Sequence, residues 1–223
     1  MNAFQLWCTR GFMLFAARFT LIVHLTILLW GCPSRLNYLP SPEQINNDGP
    51  YIHAASGMIF PTSVKEYQRY KINRYDADNL DMSAGYQLTR PSLIVATVYI
   101  YPTPPVVSIG SPAHVVATAK RMSAQGEFNR GKNEIFKSHP SARMLSETET
   151  LLSKNGLAHT GWRATFESDG GTFGLPYKVT SHLYVFSYVA DKWTVKYRFT
   201  HPKDFDAAGD IETFLQTLEW TIK

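Results

Sequence analysis

The chain predicts an α+β domain: an antiparallel sheet of six to seven strands flanked by a long central helix and a short C-terminal helix. Three observations carry this. Leu93 to Tyr101 is apolar or aromatic on both faces and rich in β-branched residues, as a central strand covered on both sides requires. Trp193 to Thr200 alternates strictly, with Trp193, Val195, Tyr197 and Phe199 on one face and Thr194, Lys196, Arg198 and Thr200 on the other. Short connections join consecutive strands, and strands so joined run antiparallel.

The elements follow in order. Tyr67 to Tyr75 sets Tyr67, Arg69 and Lys71 against Tyr70 and Ile72, the pattern of a partly exposed strand, and Asp76-Ala-Asp78-Asn79 turns the chain. Met82, Ala84, Tyr86 and Leu88 then share a strand face, and Thr89-Arg90-Pro91-Ser92 leads into the strand 93–101, which Pro102, Pro104 and Pro105 end. Ser111-Pro112 starts a helix, with serine at the cap and proline at the first helical position. Val115, Ala119, Met122 and Gly126 hold helical spacing, and His139-Pro140 stops it. Leu145 to Leu152 and His159 to Glu167 are two more strands, the second with Trp162, Ala164 and Phe166 opposed to Arg163, Thr165 and Glu167. Val179 to Val189 and Trp193 to Thr200 form a hairpin around Ala190-Asp191-Lys192. Ile211, Leu215 and Leu218 mark a terminal amphipathic helix.

The N-terminal segment has a different character. Phe19 to Trp30 is a 12-residue run broken only by His24 and two threonines, preceded by Arg10 and Arg18 and by no acidic residue. As a helix it reaches roughly 18 Å, short of the ~20 apolar residues that a bilayer requires, and its pattern is that of a secretory signal. Met13 offers a conventional start for such a signal. Leu29-Trp30-Gly31-Cys32 resembles the lipobox of bacterial lipoproteins, although Trp30 departs from the usual small or β-branched residue. That resemblance implies cleavage after Gly31 and a lipid on Cys32, whose thiolate is the acceptor. Pro33, rather than aspartate, follows the cysteine, which implies an outer-membrane destination facing the periplasm. The expected organisation is therefore a signal peptide over 1–31, a flexible Pro-, Asn- and Ser-rich tether over 32–56, and one domain over 57–223.

Net charge and cysteines restrict the function. The chain carries +4, and loss of Arg10 and Arg18 leaves +2, which is no polyanion-binding profile, so no nucleic-acid partner is expected. Cys8 leaves with the signal, so no thiol is left for an internal disulfide once Cys32 is acylated.

The element order is similar to that of the PsbP-like fold, on the strength of Ala96-Thr97-Val98-Tyr99-Ile100-Tyr101-Pro102, the Ser111-Pro112 helix, the late hairpin with Trp193 and Arg198, and the closing helix. This resemblance spans about residues 58 to 222 and implies a binding or scaffolding role.

Catalytic and metal signatures do not assemble. Asp76-Ala-Asp78-Asn79-Leu80-Asp81 begins like a calcium loop, but Leu80 stands where an oxygen ligand belongs, and Gln87 where the bidentate glutamate belongs. His53, His114, His139, His159, His182 and His201 are widely spaced. His159 and His182 are the pair that neighbouring strands would bring together, without a third ligand. Glu147 and Glu149 share a strand face and read as a solvated edge. Asp169-Gly-Gly-Thr-Phe-Gly174 precedes a strand rather than a helix, so it is a surface loop and not a phosphate cradle. There is no nucleophile elbow and no His-Glu-x-x-His helix. Neither metal nor cofactor is expected. The residues expected to meet a partner are Lys196 and Arg198, with Arg163 and Tyr184 from neighbouring strands, as one small basic face. The function expected is a membrane-anchored envelope lipoprotein with a non-catalytic binding or assembly domain and an envelope protein as partner. The alternatives are an envelope hydrolase and a small-ligand domain that uses the tyrosine-rich surface.

Overall fold

Residues 37–90, 93–170 and 176–223 are described by the structure, a computed structural model. The signal segment, Cys32, Pro91, Ser92 and residues 171–175, on which part of the expected glycine-rich loop falls, lie outside them. In chain order the elements are β1 (Tyr38–Gln44), β2 (Tyr51–Ile52), β3 (Ile59–Phe60), β4 (Ser63–Val64), β5 (Tyr67–Asp76), β6 (Met82–Leu88) and β7 (Ile94–Pro102). Then come α1 (Ala113–Ser138), β8 (Arg143–Lys154), β9 (Leu157–Asp169), β10 (Lys178–Val189), β11 (Trp193–Pro202) and α2 (Ala208–Thr217).

The class is α+β. Nine strands form one antiparallel sheet in the order β1-β5-β6-β7-β11-β10-β9-β8, with β4 added against β5, and β2 pairs β3 separately. The sheet is larger than the six to seven strands expected because two edge pieces came from residues whose composition reads as loop. The segment 32–56, expected to be a flexible tether, joins the fold from Tyr38 onward. β1 pairs with β5 through Tyr38↔Asp76, Glu43↔Arg74 and Gln44↔Asn73. Its side chains are nearly all exposed, so backbone pairing to a free strand edge orders it, and composition does not register that force. His53 and Ser56 are fully buried, and the His53 ring donates to or accepts from Ser56 Oγ at 2.6 Å.

Each face of the sheet has its own core. One face packs β5, β6, β7, β10 and β11 against α2 and the last residues, with Tyr86, Tyr197, Phe199, Phe214 and Trp220 at its centre. The Trp220 indole N–H donates to the Tyr197 hydroxyl, and Phe214 meets Tyr67, Tyr86 and Phe199 edge-on. Lys154 closes the C-terminal end of α2, donating to the carbonyls of Leu218 at 2.7 Å and Gln216 at 3.0 Å.

The other face carries α1 over a smaller core of Phe128, Ile135, Ala164, Phe166, Leu183 and Val185. The helix spans the expected region, but its buried residues are Glu127, Phe128, Gly131 and Ile135. The stripe Val115-Ala119-Met122-Gly126, which marked the helix by its spacing, turns away from the sheet: Val115 and Met122 are exposed. Helical spacing identifies a face without saying where it points, and the sheet chose the stripe one-third of a turn or more away.

Strands β8 and β9 are longer than expected. Lys154↔Leu157 closes them through Asn155-Gly156, both at positive φ, the two-residue turn whose twist suits a hairpin. Close packing fixes one glycine nearby. A Cβ on Gly161 would stand 2.5 Å from the Val185 carbonyl oxygen and against the Phe186 ring. Gly161→Ala is expected to cost about 2 kcal/mol or more, read as a lower urea midpoint with unchanged slope.

Candidate functional site

Strict alternation on β11 places Lys196 and Arg198 on the α1 face, opposite Trp193, Val195, Tyr197 and Phe199 in the main core. On β7 the same rule brings Tyr99 and Tyr101 to that face, and Tyr99 pairs directly with Lys196. The helix α1 lies over this patch without closing it. Between them is a cleft of about 520 Å³, lined by Tyr75, Asp81, Tyr99, Tyr101, Lys196 and Arg198 from the sheet and its turn, by Arg130, Glu134 and Ser138 from α1, and by Tyr38 to Pro42 from β1.

The β1 wall has an unusual register. Five steps from Tyr38 to Glu43 run opposite only two from Asp76 to Arg74, so Leu39-Pro-Ser-Pro42 arches out as a strap beside the cleft. Its two prolines donate no ladder bond, which suits residues released from pairing.

Lys196 is 8% exposed and donates to Glu134 Oε2 at 2.7 Å, with its ammonium 4.3 Å from the centre of the Tyr99 ring and 5.6 Å from that of Tyr101. Arg130 bridges to Glu127 and lies 5.1 Å from the Tyr101 ring. Arg198 is different. Its guanidinium donates to His139 Nε2, its Nε is buried without a hydrogen-bond partner, and among the described residues no carboxylate pairs with it. Burial and the adjacent Arg198 charge both hold His139 toward its neutral form.

Asp81 is placed by the turn between β5 and β6. The buried Asp76 carboxylate accepts from the backbone N–H of Leu80 at 2.9 Å and of Asp81 at 3.2 Å, which fixes that turn. Burial pushes the Asp81 carboxyl up to about 7, against the opposing pull of Lys196. Burial also raises the Tyr99 and Tyr101 phenols, so both remain neutral donors.

The residues singled out from the sequence divide between the two faces. Lys196 and Arg198 belong to the cleft. Arg163 and Tyr184, expected beside them, pair with each other across β9 and β10 on the opposite face, where Tyr184 packs on the Phe199 ring. Neighbouring strands put laterally paired residues on one face, and Lys196 pairs with Val185, one residue out of phase with Tyr184. The single basic face therefore does not form, and a buried lysine and a half-buried arginine sit in a cleft instead.

His159 and His182 do not meet, because His182 stands opposite Thr165, six residues farther along β9. Its actual neighbour is His201: the two Nε2 atoms are 3.1 Å apart, and the rings are stacked. Glu147 and Glu149 bridge to Lys132 and Arg121, tying the edge strand β8 to α1. No group of three or more potential metal ligands occurs among the described residues. Asp81, Arg130, Glu134 and the strap were missed in the sequence. A signal did exist for Glu134, since it falls four residues before the stop at Ser138-His139-Pro140, on the same side as Arg130 and Gly131.

No protein-family model matches this chain, and no curated protein matches it in sequence.

Two pH responses follow. His182 is held down to about 4 by burial and by His201, so this histidine is neutral in the fold; its contribution is complete above about 6.5 and is lost as pH falls through about 4. Relative to His182→Gln, in which the Asp81 contribution is retained, wild type is expected to lose on the order of 2 kcal/mol over that window, in urea titrations at stepped pH. Asp81 has the opposite sign. Its raised folded value stabilises the fold at low pH, and that benefit fades as pH rises from about 4 through about 7. Asp81→Asn is expected to be more stable than wild type at pH 8, by about 1–3 kcal/mol, and nearly equal to it at pH 4.

Proposed function

We propose that this chain is a membrane-anchored bacterial envelope lipoprotein, acylated at Cys32 and facing the periplasm from the outer membrane. Its domain binds rather than transforms, and the cleft under α1 is its recognition site. The domain is read as PsbP-like in arrangement, a reading supported by an antiparallel sheet with a long helix on one face and a closing helix on the other. A shorter leash goes with this proposal than the sequence suggested. Only residues 33–37 separate Cys32 from β1, no more than about 20 Å of extended chain.

One observation carries the choice of ligand: Arg198 enters the cleft with a buried nitrogen and, among the described residues, no carboxylate partner. Buried guanidinium groups are ordinarily paired, and a planar fork of donors suits a carboxylate. Near neutral pH a half-protonated Asp81 donates to the same anion, and the tyrosine rings offer flat faces to a sugar or aromatic body. The ligand class is therefore a small molecule, or one unit of an envelope polymer, that bears a carboxylate on a hydroxylated or planar ring. The hydrolase alternative draws on Asp81 as an acid. It also requires a group to activate water, and the cleft's other carboxylate, Glu134, is already held by Lys196.

Calorimetric titration of the mature protein with D-glucuronate and D-glucose tests this reading. Glucuronate is expected to bind and glucose to bind far less, with affinity falling as pH rises through 7. Arg198→Ala is expected to weaken glucuronate by about tenfold or more, the loss of one charge-assisted hydrogen bond. Equal affinity for both sugars, or none for either, would count against the proposal. The anchor is tested separately: Cys32→Ser is expected to abolish incorporation of labelled fatty acid.

A further inference from the structure

The sequence carries an apolar signal that neither core absorbs. Among the described residues, every large apolar side chain more than half exposed belongs to one end of the sheet. Val107 (81%) and Ile109 (93%) stand in the loop that leaves β7 at Pro102, and Met122 (71%) is on the outward face of α1. Leu151 (71%) and Leu157 (64%) flank the Asn155-Gly156 turn.

Register fixes their common location. Pro102 pairs with Trp193 beside the Ala190-Asp191-Lys192 turn, and Lys120 of α1 donates to Asp191 at 2.9 Å, so the N-terminal half of the helix lies at this end. Val185↔Trp162 brings the start of β9, and hence Leu157, to the same end. Ile52 joins them: its neighbour His53 contacts the Asn79 carbonyl and the Trp193 ring. The last is Tyr38, opposite Asp76 at the corresponding end of β5.

The chain coming from Cys32 arrives at this end. The Asn37 carbonyl accepts from the Ala77 N–H at 2.9 Å, and its side-chain amide reaches Asp78, both in the β5–β6 turn. Exposed apolar residues scattered over a surface need no explanation, whereas their collection at one end marks a contact surface. We infer that this end of the sheet, led by Val107, Ile109 and Met122, rests in the interfacial layer of a lipid bilayer. The inference rests on Cys32 being the lipid attachment site. A chain fixed by a lipid six residues before β1 presents that end first, and shallow insertion of a few apolar side chains adds buried area to the acyl anchor. The arrangement also accounts for Val115-Ala119-Met122-Gly126: the stripe is apolar for a partner outside the fold.

The test uses the mature acylated protein in vesicles of phosphatidylethanolamine and phosphatidylglycerol. With Cys8 removed by processing and Cys32 acylated, Ile109→Cys, Met122→Cys and, at the other end, Tyr177→Cys each offer a single thiol for an environment-sensitive fluorophore. A blue shift and loss of emission to quencher-bearing lipids are expected at 109 and 122 and not at 177. Equal quenching at all three positions overturns the inference, as does a shift that tracks protein density without lipid quenching, which denotes contact between copies. Intact-protein mass determines the state of Cys32 independently. If that residue proves unacylated, each variant is made in a Cys8→Ser, Cys32→Ser background so that it again carries a single thiol and is added to preformed vesicles, where quenching at 109 and 122 still supports the surface and its absence rejects it.

Discussion

A lysine ammonium buried on a central strand is the constraint on which the α1 face depends. Lys196 has Tyr99 beside it, Val185 on the other flank and a helix above, so among the described residues Glu134 and two aromatic rings stand in for water. Breaking a fully buried pair by removing one partner costs about 3–5 kcal/mol, and the half exposure of Glu134 lowers that figure here. The pair pins α1 near its C-terminal end. Farther along, Phe128 and Ile135 pack on Trp162 and Phe166, and Lys132 and Arg121 bridge to the edge strand β8. A helix held by ion pairs on one side and by apolar packing on the other stands off the sheet over the tyrosines. The space left there is the cleft.

The opposite face follows ordinary rules. Inward aromatic residues from β6, β10 and β11 meet Phe214 and Trp220, and the last carbonyls of α2 are closed by a lysine from a neighbouring hairpin. The large core carries most of the buried apolar area, which leaves the α1 face free to contain charged groups that a small core alone would not tolerate.

Much of this architecture was legible in the sequence. Strands β5, β6, β7, β10 and β11 follow from alternation and β-branched content, and α1 ends at His139-Pro140 as expected and begins one residue later than expected, with Pro112 rather than Ser111 at its cap and no side chain capping it. Three features were not legible, each for a physical reason. β1 forms by backbone pairing to an open edge, and its side chains carry no trace of that. The outward stripe on α1 has the spacing of a core face, because helical spacing identifies an apolar face without saying which way it points. The cleft joins Asp81, Arg130, Glu134 and Arg198 from three distant stretches, and only strand register makes them neighbours. Lys196 and Arg198 were correctly paired on one face; Arg163 and Tyr184 were misplaced because lateral phase between strands cannot be read from one strand's alternation.

The most direct check on the cleft is its own acid. Carbon-13 NMR of the carboxyl groups, followed from pH 3 to 9 with Asp81→Asn supplying the assignment, reads the environment that α1, Lys196 and the strap create together. A midpoint near 7 for Asp81 is expected of a carboxyl whose burial outweighs the pull of the neighbouring Lys196. A midpoint near 4, the value of a solvated aspartate, would mean that the cleft is open to water and that the charges within it are not poised for a ligand.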